Sequence, residues 1–160
     1  MHFAIAASPG WSETGGPWVN APAEIAMKSM APPDSNSDPR VRYFSGEAIY
    51  SSSFALPGSA KPGAPLWLDL GRIGDVADVR VNGHLAGANW FAPYRIDVGK
   101  LVKPGRNAIE VKIANLWVNR LIGDQQAGAE RVTFTAVPTY RPDAPLRPSG
   151  LIGAVTLLAN

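Results

Sequence analysis

The chain has no cysteine, so neither a disulfide framework nor thiol chemistry contributes to it. That absence leaves the compartment open, because many exported proteins also lack cysteine. Histidine is nearly missing: His2 and His84 stand far apart, with no third ligand type beside either to build a zinc site. No run approaches the roughly 18 consecutive apolar residues of a membrane span. The opening ten residues lack the basic flank of a secretory leader, so no targeting signal is visible. No segment sustains a helical apolar period. There is no G-x-S-x-G, no P-loop and no metal-ligand spacing. The formal net charge is only +2, and Lys and Arg are scattered among acids without a stripe or cluster. These features give no membrane-spanning helix and speak against a membrane or nucleic-acid partner.

What the chain does have is turn formers, Gly 16 and Pro 15 in 160 residues. That is one domain's length, large enough for its own core. Residues 1–40 are weakly patterned and read as an irregular covering segment of the same domain, with room for one edge strand and for one or two helical turns over 23–30. From residue 41 the apolar period becomes two. Alternating runs cover 48–56, 66–70, 77–81, 94–98, 109–113, 132–137 and 153–158, and turn residues separate them. Asn82-Gly83 is the strongest hairpin signal, because both residues tolerate positive φ. Residues 138–152, with four prolines, suit a loop across one end rather than a central strand. The pattern predicts an all-β sandwich over 41–160.

Two segments concentrate residues suited to polyhydroxylated ligands. In W-F-A-P-Y-R at 90–95, Trp90 and Tyr94 offer ring faces for the C–H patches of a pyranose, and Arg95 offers a fork of donors. The alternative puts both rings in the core and Arg95 on a loop carbonyl. In N-L-W-V-N-R-L-I-G-D at 115–124, Trp117, Asn119, Arg120 and Asp124 could meet a ligand. They could equally lock neighbouring loops, with Arg120 and Asp124 paired. A strand face of Asn-Trp-Asn would be costly to bury unless each amide were bonded, which predicts an end loop. Among the carboxylates, Asp69, Asp75, Asp78, Asp97 and Glu110 could furnish a structural calcium ion, although no EF-hand spacing supports one. No other cofactor is called for. A glycosidase needs two carboxylates at a set separation, and nothing in the sequence marks such a pair.

Five stretches, in order, carry a resemblance: V-R-Y-F-S-G-E-A-I-Y, L-W-L-D-L-G-R-I-G-D-V-A-D-V-R-V-N-G, W-F-A-P-Y-R-I-D-V, P-G-R-N-A-I-E-V-K-I-A-N-L-W-V-N-R-L-I-G-D and P-L-R-P-S-G-L-I-G-A-V-T-L. Together they resemble the terminal β-sandwich of large bacterial α-L-rhamnosidases and related glycoside hydrolases, akin to the sugar-binding domain of β-galactosidase and β-glucuronidase relatives. The resemblance implies a galactose-binding-like jelly roll of about eight or nine mostly antiparallel strands, standing as a C-terminal module. It places the catalytic acids on a separate barrel, so the expected function is non-catalytic: a carbohydrate-binding module for a plant cell-wall or pectic polysaccharide. Arg95 and Arg120 would suit an acidic one. The implied partners are a polysaccharide or oligosaccharide and the catalytic domain of a parent glycoside hydrolase, itself extracellular or periplasmic. A structural accessory domain without its own ligand is the alternative, and a small standalone polysaccharide-active enzyme is a third.

Overall fold

The computed structural model describes residues 2–4, 11–15, 25–27, 31–58 and 60–159, the first three stretches as backbone only. The strands are β1 (His2–Ala4), β2 (Trp11–Gly15), β3 (Ile25–Met27), β4 (Gly46–Ala55), β5 (Leu66–Asp69), β6 (Val76–Val81), β7 (His84–Asn89), β8 (Arg95–Asp97), β9 (Arg106–Asn115) and β10 (Thr156–Ala159). They form a four-stranded sheet, β1-β10-β5-β8, and a six-stranded one, β3-β2-β4-β9-β6-β7. Every pairing between them is antiparallel. The seven strands from β4 to β10 make the jelly-roll-like sandwich that the alternation predicts, and β1, β2 and β3 extend its sheets.

The core follows from the period of two. Ala48, Tyr50 and Phe54 of β4 face inward, as do Ala77, Val79 and Val81 of β6 and Ile109, Val111 and Ile113 of β9. They meet Leu66 and Leu68 of β5, Ile96 of β8 and Leu157 of β10. The outer face is polar, with Lys112 on β9 between Glu47 of β4 and Asp78 of β6, at 3.1 and 3.7 Å.

Three expectations give way. Ile25–Met27 is a strand paired with β2, not part of a helix: ladder pairing overrides a weak helical preference. Residues 1, 5–10, 16–24 and 28–30 of the expected covering segment lie outside the described residues. Residues 132–137 form no strand, and their apolar side chains find no facing sheet. Residues 115–124 are not a plain loop, because β9 ends at Asn115 and the chain then winds into α2 (Val118–Gly123), where the Trp117 carbonyl accepts from the Leu121 amide. A second short helix, α1 (Pro39–Arg42), starts at Asp38, whose carboxylate accepts from the Arg40 amide.

Strand register sorts the loops into two ends. Ala77 is the partner of both Asn89 and Ile113, and Gly46 is the partner of Asn115. The segments after β7 and β9 therefore emerge at the same end, which α1, α2 and residues 124–150 cover. The Asn82-Gly83 turn, with φ of 51 and 83, belongs to the other end. There Asn107, fully buried, accepts from the Lys103 amide at 2.8 Å and from Asn82 Nδ2 at 2.8 Å, and donates to the Lys103 and Gly105 carbonyls. Asn82 also donates to the Leu101 carbonyl and accepts from the Ala108 amide. Gly99 is required here by close approach, since a Cβ would sit 1.9 Å from the Ala64 carbonyl oxygen. Asn107→Ala strands several of these buried groups, so we expect a loss of about 2 kcal/mol or more, measured by urea denaturation.

Candidate functional site

The residues that the sequence singles out all lie at the α2 end, but they divide sharply by environment. Asn89, buried at the end of β7, shapes the 90–95 loop: its oxygen accepts from the Phe91 amide, and its amide donates towards the Pro93 and Arg95 carbonyls. The Ala92–Pro93 peptide is cis. In this loop Trp90 and Phe91 stand out from the surface, 64% and 61% exposed, packed edge to face at 5.7 Å. Tyr94 instead packs against the core, and its carbonyl accepts from the Leu70 amide. Arg95 is held by Asp69 at 2.7 Å.

In the second segment Trp117 is half exposed, and Leu116 beside it equally so. The end of β9 is two strands from the end of β7, or roughly 10 Å. Asn119 is buried and makes a reciprocal pair of bonds with the Arg147 backbone, at 2.7 and 2.8 Å. Arg120 is buried too, with Nε 2.9 Å from the Asp124 carboxylate one helical turn on. Asp124 also accepts from the Val132 amide, and from the amide and hydroxyl of Thr133. The Arg120–Asp124 pair thus ties α2 to the chain that returns over it. Burial pushes the Asp124 carboxyl up, but the Thr133 hydroxyl and amide, the Val132 amide and the Arg120 guanidinium outweigh it and hold the group below the usual aspartate range.

Sequence reasoning passed over three exposed side chains at this end. Phe91 lies inside a motif read for its neighbours, while Phe134 (95% exposed) and Val137 fall in a run read as a strand. Between α1 and α2 opens a cleft of about 460 Å³, lined by Arg40 and Tyr43, by Arg120 and Gly123 of α2, and by Gln126 and Glu130. The carboxylates considered for calcium are spread out: Asp69 on Arg95, Asp75 on the Leu116 amide and Arg147, Asp78 on Lys112, Asp97 on the Leu66 and Gly99 amides. Among the described residues no three such ligands of His, Cys, Asp or Glu type gather.

Comparison with known proteins accords with this architecture. The family described as glycosyl hydrolase 2 galactose-binding domain-like matches residues 31–144. A rhamnosidase structure from Novosphingobium sp. PP1Y superposes with a TM-score of 0.90 at 53% identity, over 98% of this chain and 15% of that one. A β-glucuronidase from Ruminococcus gnavus gives 0.59 at 26% identity, over 72% of this chain and 22% of that one. A Formosa agariphila protein named "Putative beta-glucuronidase" is 36% identical in an alignment 142 residues long that covers 73% of this chain and 12% of the relative. The chain thus spans less than a quarter of each.

The Asp124 network makes a testable statement. Its folded value lies below the roughly 3.9 of an unfolded aspartate. Its stabilisation is therefore complete above that pH and is lost as pH falls through the folded value. Asp124→Asn, which leaves Arg120 buried without its counter-charge, should cost about 3 kcal/mol at neutral pH. Urea denaturation should show the gap between the two proteins closing as pH drops below about 4.

Proposed function

Because the chain belongs to the glycosyl hydrolase 2 galactose-binding domain-like family, we propose that it serves a larger glycoside hydrolase as a docking domain, seated on the rest of that enzyme through its α2 end. The chain is a galactose-binding-like jelly roll, the non-catalytic domain type of multidomain glycoside hydrolases. The observation that carries the docking reading is the pairing of exposed apolar groups with spent polar ones. Trp90, Phe91, Leu116, Trp117, Phe134 and Val137 face solvent. Meanwhile Asn119, Arg120 and Asp124 are engaged inside the fold, and Arg95, at the surface, is paired with Asp69. A surface of that kind suits a protein contact rather than a hydroxyl-rich ligand, which needs free donors and acceptors. Relatives several times longer than this chain support a partner of one chemistry, the remaining polypeptide of such an enzyme, and an extracellular or periplasmic setting suits that reading.

The second reading is the carbohydrate-binding module for a plant cell-wall or pectic polysaccharide. The cleft favours it, since about 460 Å³ is a ligand-sized volume, and Tyr43, Arg40, Gln126 and Glu130 combine a ring face with polar groups.

One pair of experiments separates them. In a Novosphingobium rhamnosidase carrying this chain in place of its own corresponding segment, Trp90→Asp with Phe134→Asp should lower the thermal midpoint by about 3 °C or more, while the isolated chain melts unchanged. Equal midpoints in the two chimeras would remove the docking reading. Retardation of the isolated chain in gels containing rhamnogalacturonan or galactan, abolished by Tyr43→Ala, would install the second reading in its place.

A further inference from the structure

The two arginines that the sequence offers to an acidic glycan each have an acid partner, Arg95 in Asp69 at the surface and Arg120 in Asp124 in the interior. Four other cations, Lys61, Lys100, Lys103 and Arg106, none of them paired with an acid among the described residues, lie at the opposite end of the sandwich. Residues 99–107 form a hub there. Gly99 accepts from the Gly63 amide and so holds the 61–64 turn that carries Lys61. Gly105 accepts from the Leu56 amide at the end of β4, and Leu101 accepts from Asn82 Nδ2 in the β6–β7 turn. Lys100, Lys103 and Arg106 belong to the hub itself. Residues nearly 40 positions apart in sequence thus come to one rim.

All four cations are exposed. Among the described residues Lys61, Lys100 and Lys103 form no ion pair, and Arg106 reaches only the Ser53 hydroxyl, at 3.0 Å. Asp97 is the one carboxylate side chain of these turns, and its Oδ1 accepts from the Leu66 and Gly99 amides. Four cations against one acid give a local excess of three, more than the +2 of the whole chain. The Asn82–Asn107 lock holds the turns in place, so a ligand need not order them. Trp67, on the outer face of β5 in register with Asp97, adds a partly exposed ring beside the rim, on which a pyranose can lie.

We infer that this end is a binding rim for an anionic polysaccharide, one bearing carboxylate or sulfate groups, with Lys61, Lys100, Lys103 and Arg106 meeting the charges. The choice of polysaccharide over nucleic acid follows from the chain's place among glycoside hydrolases. The inference stands apart from the docking reading, because the rim lies at the far end and stays open whether or not the α2 end is seated on a partner.

The test is affinity electrophoresis of the purified chain in gels containing polygalacturonate, a sulfated galactan or neutral galactan, each against a glycan-free gel. Retardation by one or both polyanions and not by the neutral polymer is expected, and the arms that retard identify the anion. With three cations engaged, a tenfold rise in salt should weaken binding on the order of a hundredfold. Lys61→Glu with Lys100→Glu and Lys103→Glu should abolish retardation at an unchanged thermal midpoint. The same charge change at the other end, Arg42→Glu with Arg131→Glu and Arg141→Glu, should leave it. Absence of retardation in both polyanions at low salt would overturn the inference, as would equal loss in the two triple variants. Tighter capture by single-stranded DNA than by either polyanion would overturn it in favour of a nucleic-acid site.

Discussion

One ten-residue ladder, β4 against β9 in continuous antiparallel register from Gly46–Asn115 to Ala55–Arg106, sets the terms for the whole molecule. The inward face of β9 runs Asn107, Ile109, Val111, Ile113, Asn115. Its centre is apolar and closes the sandwich, while each end carries a buried amide. Asn107 gathers the turns of one end, and Asn115 accepts from the Gly150 amide at 2.7 Å to hold the returning chain of the other. A slip of one residue would turn the three aliphatic side chains to solvent and release both amides. Eight residues of strand separate the two asparagines, or roughly 27 Å. The domain therefore has two ends that a single strand builds and holds apart.

The strands were legible because a period of two is a local signal. Leu66 and Leu68, Ala77 to Val81 and Ile109 to Ile113 reveal their inward faces without reference to any partner, and the Asn82-Gly83 turn declares itself by its need for positive φ. The ends were less legible because they depend on contacts between distant residues. Lys61 looks solitary in the chain, and contacts such as the Gly63–Gly99 bond bring its turn to the segment of Lys100 and Lys103. A sequence with no basic cluster thus yields a basic rim. A six-residue helix is also too short to show a period, so α2 was invisible even though the four-residue spacing of Arg120 and Asp124 already offered their pairing.

The same comparison explains which motif residues survive as surface. In W-F-A-P-Y-R the burial of Asn89 decides the matter: once its amide holds the Pro93 and Arg95 carbonyls, the loop arches outward and carries Trp90 and Phe91 with it. Phe134 and Val137 misled because alternation in T-F-T-A-V mimics a strand, but no sheet edge stands opposite to receive it. The polar residues that looked most like ligand contacts, Asn119, Arg120 and Asp124, are those whose burial required internal partners, which they find.

The outer strand β7 ends the six-stranded sheet, and its register with β6 shifts between Val79 and Arg80. A shifted, twisted edge is a poor template for an incoming strand. A neighbouring chain would gain little by extending the six-stranded sheet at this edge. At β7 the sandwich therefore closes on itself like a selvedge, a margin that does not invite another strand to be woven on.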